Sequence, residues 1–461
     1  MNRSHGAYAL LICAVCAAYF NALWGDFQFD DYNVIVQNPV VHSWAAWWSE
    51  VPHGIRPLLK ATYTLNWILG PDAFGFHLLN VLVHAGNTLL VYALTTALLR
   101  ELEARGARLW ASGERDTLTP ALLAALLFAV HPVQTEAVTY ISGRSVSLMA
   151  LLYLGSVLAY VRGRAADETR QRWLLYGLSP GLFVLALLVK EVAVTLPAAL
   201  LLWEMLRGAG RPSWSVILRR QALHWTVLAA AVVVLFRHPG YYPLLAFSFS
   251  VRSLQDAVLT QIHGIVYLLS RLVWVHHLNI DPDLPVISRW TPALAAEGLF
   301  LATCLGVGVI SLRRHPWVGF GILWVFLHLL PTNSVVPRLD VANERQLYLA
   351  GWGGFLLIGA ALAQLLRATL RPQIVSALSV LIVVGLGAAT VLRNEAYRTE
   401  VALWEATVRE SPAKARAYNN LGYAYALAGR PGEAEEAFGT ALRLDPEFAL
   451  ARQNLSSVRS K

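Results

Sequence analysis

Long apolar runs dominate this chain of 461 residues and restrict what it can fold into. A helix that crosses a bilayer needs ~17–25 apolar residues, because backbone groups in lipid must pair within the helix. Only 14% of the residues are charged, against about 25% in a soluble domain. We therefore predict an all-α, polytopic membrane domain of about eleven helices. The predicted spans are 7–25, 76–99, 118–132, 140–161, 173–190, 192–206, 223–237, 295–312, 317–332, 346–366 and 373–392.

One further apolar stretch, 257–278, decides on which face each loop lies. It contains Gln261, His263 and Arg271, which favour an interfacial or re-entrant helix over a lipid-exposed span. Eleven spans then put the short basic loops on the cytoplasmic face, as the positive-inside rule requires. The net charge of +8 is spread over such loops, which argues against a nucleic-acid patch. The same topology places on the outer face the carboxy-terminal domain and the loops 26–75, 238–294 and 333–345.

Beyond residue 392 the apolar runs stop, so we divide the chain into a membrane domain, 1–392, and a helical domain, 393–461. Half-repeats flank a full repeat there, with Trp404 and Pro412 before it and Leu455 after it. Repeat arrays need about three units to bury a continuous core. We therefore expect this short array to pack on its half-repeats or on the membrane domain, either as a scaffold or as a groove for a partner. The full repeat, 415–448, matches the tetratricopeptide pattern at Tyr418, Leu421, Gly422, Tyr425, Ala434, Phe438, Ala441 and Pro446.

Two adjacent carboxylates, Asp30 and Asp31, follow the first predicted span. A charged residue costs about 2.5–3.5 kcal/mol at the centre of a membrane helix, so acids near the bilayer are seldom without a use. Adjacent side chains point in different directions. One carboxylate can therefore face a reacting hydroxyl as a general base while the other hydrogen-bonds the scaffold. The alternative is a solvated acidic turn that caps the next helix.

A polar stripe runs along the second predicted span. His77, Asn80, His84 and Asn87 are spaced by three, four and three residues, which places them on one helix face. In lipid such a face must turn to the interior of the bundle. Metal binding by His77 and His84 is the weaker interpretation, because two helical turns, ~10 Å, separate them. The stripe predicts a hydrogen-bonded interior seam.

Charged residues also gather at the outer ends of other spans. Glu136 and Arg144 can either pair with each other or meet a substrate. Lys190 and Glu191 interrupt an apolar run, either as a self-neutralising pair or with the lysine free to meet a lipid phosphate. Arg345 is a third cation at this depth. Three cations at one face suit an anionic headgroup, because guanidinium groups hold phosphate in a bidentate manner.

These motifs occur in a fixed order along the chain. They are FDDY at 29–32, RPLL at 56–59, FHLLNVLVH at 76–84, HPVQTEAVTYISGR at 131–144, KE at 190–191 and NERQLYL at 343–349. With the trailing repeat, the set resembles the transmembrane O-mannosyltransferase family with tetratricopeptide repeats, in a bacterial form, over nearly the whole chain. The resemblance implies the GT-C glycosyltransferase fold, whose first outer loop carries the acidic motif. It also implies a polyprenyl-phosphate sugar donor, often of mannose, and transfer with inversion to a hydroxyl on the periplasmic face of the inner membrane.

Carried over to this sequence, the catalytic motif is Asp30-Asp31, and we favour Asp30 as the base. Arg144, Lys190 and Arg345 would hold the donor phosphate. No cofactor is expected, and a divalent metal is not required, although a carboxylate pair can bind one when the donor is a diphosphate. The supporting positions within the same motifs are Arg56, His77, Asn80, His84, His131, Glu136, Glu191, Glu344 and Tyr348.

The chain has about one complete repeat where animal members of the family carry a long array, which leaves the acceptor open between protein, glycan and lipid. The rival interpretation is a non-catalytic membrane protein: a scaffold whose repeat recruits a partner, or a lipid or solute transporter. Transporters often show inverted repeats, and the sequence shows no internal duplication. A scaffold would tolerate loss of Asp30, whereas an enzyme would lose turnover with its fold intact.

Overall fold

The computed structural model describes residues 3–104, 118–206, 212–334, 336–369 and 371–460, and these ranges contain α-helices and no strand. The predicted all-α class is therefore confirmed. The membrane domain contains α1 Arg3–Tyr19, α2 Trp44–Glu50, α3 Pro57–Leu69, α4 Ala73–Glu103, α5 Leu118–Val130, α6 Thr135–Val138, α7 Arg144–Gly163, α8 Glu168–Trp173, α9 Ser179–Val189, α10 Leu196–Met205, α11 Trp214–Arg237, α12 Tyr242–Val251, α13 Leu254–Arg271, α14 Pro292–Arg314, α15 Pro316–Leu329, α16 Leu347–Thr369 and α17 Pro372–Glu395. The carboxy-terminal domain contains α18 Glu400–Glu410, α19 Ala415–Leu427, α20 Pro431–Leu444 and α21 Ala449–Arg459.

The described part of the chain has eight helical stretches that are long and apolar enough to cross a membrane. A ninth is a bent pair, Pro120–Val130 with Pro132–Val138, whose axes differ by 51°. The other two predicted spans form the apolar helices α10 and α15, of only 10 and 14 residues. The helix α13 is not among the candidate spans, in agreement with the prediction for 257–278. The eight are His5–Trp24, Ala73–Glu103, Ile141–Gly163, Glu168–Val189, Trp214–Arg237, Pro292–Arg314, Glu344–Gln364 and Gln373–Glu395.

The bend after α5 lies at His131 and Pro132. Proline has no backbone N–H and interrupts the helical ladder, which leaves carbonyl oxygens to be paired by other groups. His84 Nε2 lies 3.1 Å from the Ala129 carbonyl oxygen. Thr390 Oγ1 of the last span donates to the Val130 carbonyl oxygen at 2.6 Å. Side chains of α4 and α17 thus complete the hydrogen bonding of the break.

One end of the helix bundle collects the three loops that the sequence assigned to a common face. The Asp26 amide donates to the Arg398 carbonyl oxygen at 3.0 Å. Arg416 of α19 bonds Asp281 and Asp340, which lie in the second and third of these loops. The carboxy-terminal domain therefore contacts all three loops, which places them together at one end of the bundle. We call this end of the molecule the acidic end.

The carboxy-terminal domain is a short stack of antiparallel helices. α19 and α20 form the helix pair predicted over 415–448, and α18 and α21 flank it as single helices. The two helices of the pair approach closely at Gly422, where a Cβ atom would lie 2.8 Å from the ring of Phe438. Trp404 of α18 is buried against the same pair, in one cluster with Leu421. The preceding half-repeat thus supplies part of the core of the full repeat.

Candidate active site

The acidic motif lies in a compact turn directly after the first span, and we call residues 26–36 the acidic loop. Asp31 is buried inside it. Its Oδ2 accepts from the Gln28 amide at 3.0 Å, and its Oδ1 accepts from the Ser142 amide at 2.9 Å and from the Ser142 hydroxyl. Burial raises the pKa of Asp31 to about 7, against the opposing effect of these hydrogen bonds. This carboxylate holds the loop to the start of α7.

Asp30 is half-buried and lies within electrostatic range of Arg345. Its amide donates to the Tyr140 hydroxyl at 3.1 Å. Burial raises the pKa of the Asp30 carboxyl above its ordinary range, while the charge of Arg345 and the hydrogen bond with Tyr140 partly offset this rise. The two carboxylates thus differ in their surroundings: Asp31 is buried and bonds the scaffold, whereas Asp30 is only half-buried.

Phe29, immediately before the pair, adopts a left-handed backbone conformation with φ of 49°. A residue with a bulky side chain rarely adopts this conformation, and it persists only where surrounding contacts enforce it. The Phe29 amide donates to Glu400 Oε2 at 2.7 Å, and its ring packs edge-on against Trp404 at 5.1 Å between centroids. Both partners belong to α18. The conformation that directs Asp30 is therefore held by the carboxy-terminal domain.

Three cations line one small cavity at the acidic end: Lys190, Arg338 and Arg345. The Lys190 ammonium donates to Ser145 Oγ at 3.3 Å, and burial together with the neighbouring cations lowers its pKa well below its usual value. The guanidinium of Arg338 has no hydrogen bond or ion pair to any described residue. This concentration of positive charge is suited to an anionic group.

Glu136 and Glu191 form ion pairs with arginines that are distant in the sequence, and not with the nearby Arg144 and Lys190. Glu136 is fully buried and pairs with Arg345, at 3.4 Å from its Nε and 2.9 Å from its amide, so of the two alternatives for Glu136 and Arg144 the mutual pair does not form. Glu191 pairs with Arg56 at 2.5 and 3.0 Å instead of neutralising Lys190. Burial opposes its ionisation, but Arg56 lowers the pKa of Glu191 to about 2. Lys190 thus faces the cavity without an acidic partner among the described residues.

Arg144 lies apart from this cavity and is completely buried. Its Nε donates to Asn80 Oδ1 at 2.7 Å, its Nη2 to the Phe76 carbonyl oxygen at 2.9 Å and its Nη1 to Thr62 at 3.3 Å. The guanidinium also lies 4.9 Å from the centre of the Tyr63 ring. Its role as a phosphate ligand stays a prediction, and this geometry gives it no support. The contacts define a structural tie between α3, α4 and α7.

We expect Arg144→Met to destabilise the protein by about 3 kcal/mol, because it leaves several buried acceptors without donors. Thermal unfolding in detergent measures the change. The matched control is Arg162→Met, an exposed position on the same helix, which should unfold like the wild type. Normal unfolding of Arg144→Met together with weaker donor binding would contradict the structural role and restore the phosphate role.

The polar stripe of α4 is an interior seam, as predicted. His77 Nε2 lies 3.1 Å from the Gly25 carbonyl oxygen, and Asn80 Nδ2 lies 3.1–3.4 Å from three carbonyl oxygens between Val138 and Ile141. His84 Nδ1 and Asn87 Nδ2 both contact the Tyr348 hydroxyl, at 2.7 and 3.1 Å. Among the described residues no group of three or more His, Cys, Asp or Glu side chains is placed to hold a metal.

Two further supporting residues order the chain next to the site. His131 Nδ1 accepts from the Val133 amide at 3.2 Å and so caps the turn after the helix break. Glu344 is buried and accepts from the Asn279 amide, which ties the segment before α16 to the second outer loop. Neither side chain lines the cation cavity. Their positions fit a role in shaping the site.

Sequence reasoning missed Arg338, Tyr140 and Ser142. Arg338 lies in the outer loop 333–345, which contains several charged residues. Nothing in the sequence distinguishes it from a loop arginine that is simply exposed to solvent. Tyr140 and Ser142 stand inside the 131–144 motif but are not ionisable at neutral pH. Their contacts with Asp30 and Asp31 join segments that are 110 residues apart.

Comparisons with known proteins agree with the fold and the repeat. Residues 415–448 match the tetratricopeptide repeat family model, which confirms the predicted repeat. Protein O-mannosyl-transferase Tmtc3 of Drosophila melanogaster is 27% identical over 97% of this chain and 56% of its own length. Protein O-mannosyl-transferase F38B6.6 of Caenorhabditis elegans is 25% identical over 97% and 64%, and human protein O-mannosyl-transferase TMTC4 is 27% identical over 86% and 61%.

The fold and the site define a multi-pass membrane protein with a polar centre at one end and a tetratricopeptide repeat packed on it. The chain is thus a homologue of proteins named protein O-mannosyl-transferase and carries a tetratricopeptide repeat of its own, and both findings support the resemblance stated above. It spans less than two thirds of the length of these relatives.

Proposed function

We propose that this protein is an inverting membrane mannosyltransferase of the GT-C type. It moves mannose from a polyprenyl-phosphate donor to a hydroxyl acceptor on the periplasmic face of the bacterial inner membrane. The observation that carries the proposal is the placement of the open Asp30 carboxylate within the electrostatic reach of a cavity lined by Lys190, Arg338 and Arg345. The names of the homologues supply the sugar.

In the proposed reaction the acceptor oxygen bonds to the anomeric carbon while the bond from that carbon to the phosphate oxygen breaks. Asp30 takes the proton of the acceptor hydroxyl, and its raised pKa suits a base that must accept a proton near neutral pH. The phosphate leaves with the bonding electron pair, and no acid is needed to protonate it. The cations stabilise the developing negative charge, so the scheme requires no metal. Attack opposite the leaving group inverts the anomeric centre.

An apolar groove beside the cation cavity suits the lipid part of the donor. It has a volume of about 370 Å³ and lies between α10, α13, α14 and α15. Asn333 is its one polar lining residue among the described ones. The groove includes Leu329 and Leu330, and the cation cavity includes His328 and Thr332, so the end of α15 contributes residues to both. A polyprenyl-phosphate donor has an apolar tail that suits the groove and an anionic phosphate that suits the cation cavity.

A transfer assay tests the proposal. The purified full-length protein in lipid nanodiscs is supplied with radiolabelled polyprenyl-phosphate mannose and a periplasmic protein extract. We expect release of free polyprenyl phosphate together with label on an acceptor, and the same rate with EDTA. Parallel reactions with polyprenyl-phosphate glucose and with polyprenyl-diphosphate mannose test the sugar and the donor phosphate. No release above empty nanodiscs from any donor would contradict the enzymatic function and favour a scaffold or transporter.

A further inference from the structure

The carboxy-terminal domain contacts both chemical halves of the candidate site. On the carboxylate side, Glu400 of α18 accepts from the Phe29 amide at 2.7 Å and from Trp404 Nε1 at 2.7 Å. Trp404 in turn packs against the Phe29 ring. Two more bonds join the loop to the residues before α18: the Gln28 side-chain Nε2 donates to the Tyr397 carbonyl oxygen at 2.5 Å, and the Asp26 backbone amide donates to the Arg398 carbonyl oxygen. These contacts fix the residue that precedes Asp30 in a strained conformation.

On the cation side, Arg416 of α19 pairs with Asp340 at 2.6 Å. Asp340 lies two residues after Arg338 and five before Arg345, in the loop that carries both cations. Arg416 also forms a bidentate pair with Asp281, which Lys414 contacts at 2.5 Å. Asp281 is almost fully buried and fixes the Arg416 guanidinium, which reaches the partly exposed Asp340 and so anchors the third outer loop. Consecutive helices of one domain thus hold the base and the cations.

We infer that α18 and α19 are positioning elements of the active site, which set the placement of Asp30 relative to the cation cavity through Glu400 on Phe29 and Arg416 on Asp340. The inference rests on the proposed function for its catalytic meaning. The repeat domain is then part of the catalytic unit, and it positions the active site in addition to any binding of partners. Glu400 and Arg416 themselves touch no reacting atom.

Steady-state kinetics of the full-length protein separates the two contacts. Glu400→Gln weakens the hold on Phe29, and we expect kcat to fall about tenfold, the value of one charge-assisted hydrogen bond, with the donor KM unchanged. Arg416→Gln frees the cation loop and should raise the donor KM by a similar factor. Trp404→Phe keeps a ring against Phe29 and should retain most of the kcat, whereas Trp404→Leu should lose it.

Two matched controls lie in the same domain. Glu405, on the same helix as Glu400, accepts from the Tyr425 hydroxyl, and Glu405→Gln weakens this bond as Glu400→Gln weakens its own; Arg430→Gln removes an exposed pair with Glu433. Both should keep wild-type kcat and KM. An active wild type whose Glu400→Gln and Arg416→Gln variants behave like these controls would overturn the inference.

Amide hydrogen exchange provides a readout that does not depend on turnover. We expect faster exchange in residues 26–36 for Glu400→Gln and in 338–345 for Arg416→Gln, with neither region changed in the controls. If the wild type lacks transferase activity but exchange responds in this way, the proposed function fails while the coupling stands. If exchange in both regions is unchanged, the coupling fails whatever the activity.

Discussion

Asp30→Asn is expected to lower the rate of sugar transfer by about 10²–10⁴-fold, the usual contribution of a general base. The amide has nearly the same shape but cannot take the proton of the acceptor hydroxyl. Donor binding and folding should change little, because the Asp30 side chain is half-buried and its backbone amide keeps its bond to Tyr140. The release of polyprenyl phosphate from labelled donor measures the rate, and size-exclusion chromatography in detergent checks the fold.

Asp31→Asn gives the internal comparison. Asp31 accepts three hydrogen bonds through both oxygens, and an asparagine NH₂ group would face one of the donors. We expect this variant to lose stability as well as rate, whereas Asp30→Asn loses rate alone. Full transfer by Asp30→Asn would contradict its assignment as the base. A loss of rate in Asp31→Asn without any loss of stability would transfer the role to Asp31.

Arg338→Gln is expected to weaken donor use by about 10- to 100-fold, which corresponds to the loss of one or two hydrogen bonds to a charged group. Its guanidinium has no protein partner among the described residues, so the substitution leaves no buried acid unpaired. The effect should therefore appear in the donor KM, with thermal stability unchanged. Arg345→Gln would combine both effects, because it removes the partner of the buried Glu136.

Arg289→Gln is the matched control for Arg338, since it removes an exposed arginine from another loop of the acidic end. Its kinetics should equal those of the wild type. Competition by polyprenyl phosphate sharpens the comparison: the product should inhibit the wild type and the control, but Arg338→Gln only at higher concentration. Equal inhibition of all three would show that the phosphate does not bind at this cavity.

The sequence was sufficient for features that depend on local periodicity. Apolar runs predicted the helices of the membrane domain, the 34-residue pattern predicted α19 and α20, and polar spacing predicted the seam along α4. Span length was predicted less well, because α10 and α15 begin at prolines or next to them, where a continuous ladder cannot extend further back. An apolar run does not reveal how much of it is helical.

Ion pairing could not be predicted from neighbours along the chain. At Lys190 the backbone is extended, with φ of −159° and ψ of 134°, so the side chains of Lys190 and Glu191 point to opposite sides. Glu191 therefore meets Arg56, which is 135 residues away, and Lys190 faces the cavity. The position of Arg338 in the cavity could not be predicted from the sequence either. It depends on how the helices pack around a loop, and the loop sequence has no periodic pattern.

The bent helix pair at His131 and Pro132 has a consequence for biogenesis. The carbonyl oxygen of Val130 receives its side-chain partner, Thr390, from α17, which is synthesised 260 residues later. Until α17 enters the bilayer, the Val130 carbonyl oxygen lacks this partner and faces lipid or water within the membrane. The break after α5 thus cannot reach its final hydrogen bonding until Thr390 has been made. Chains truncated before α17 should be recognised by membrane quality control, because maturation of this part of the bundle is tied to insertion of α17.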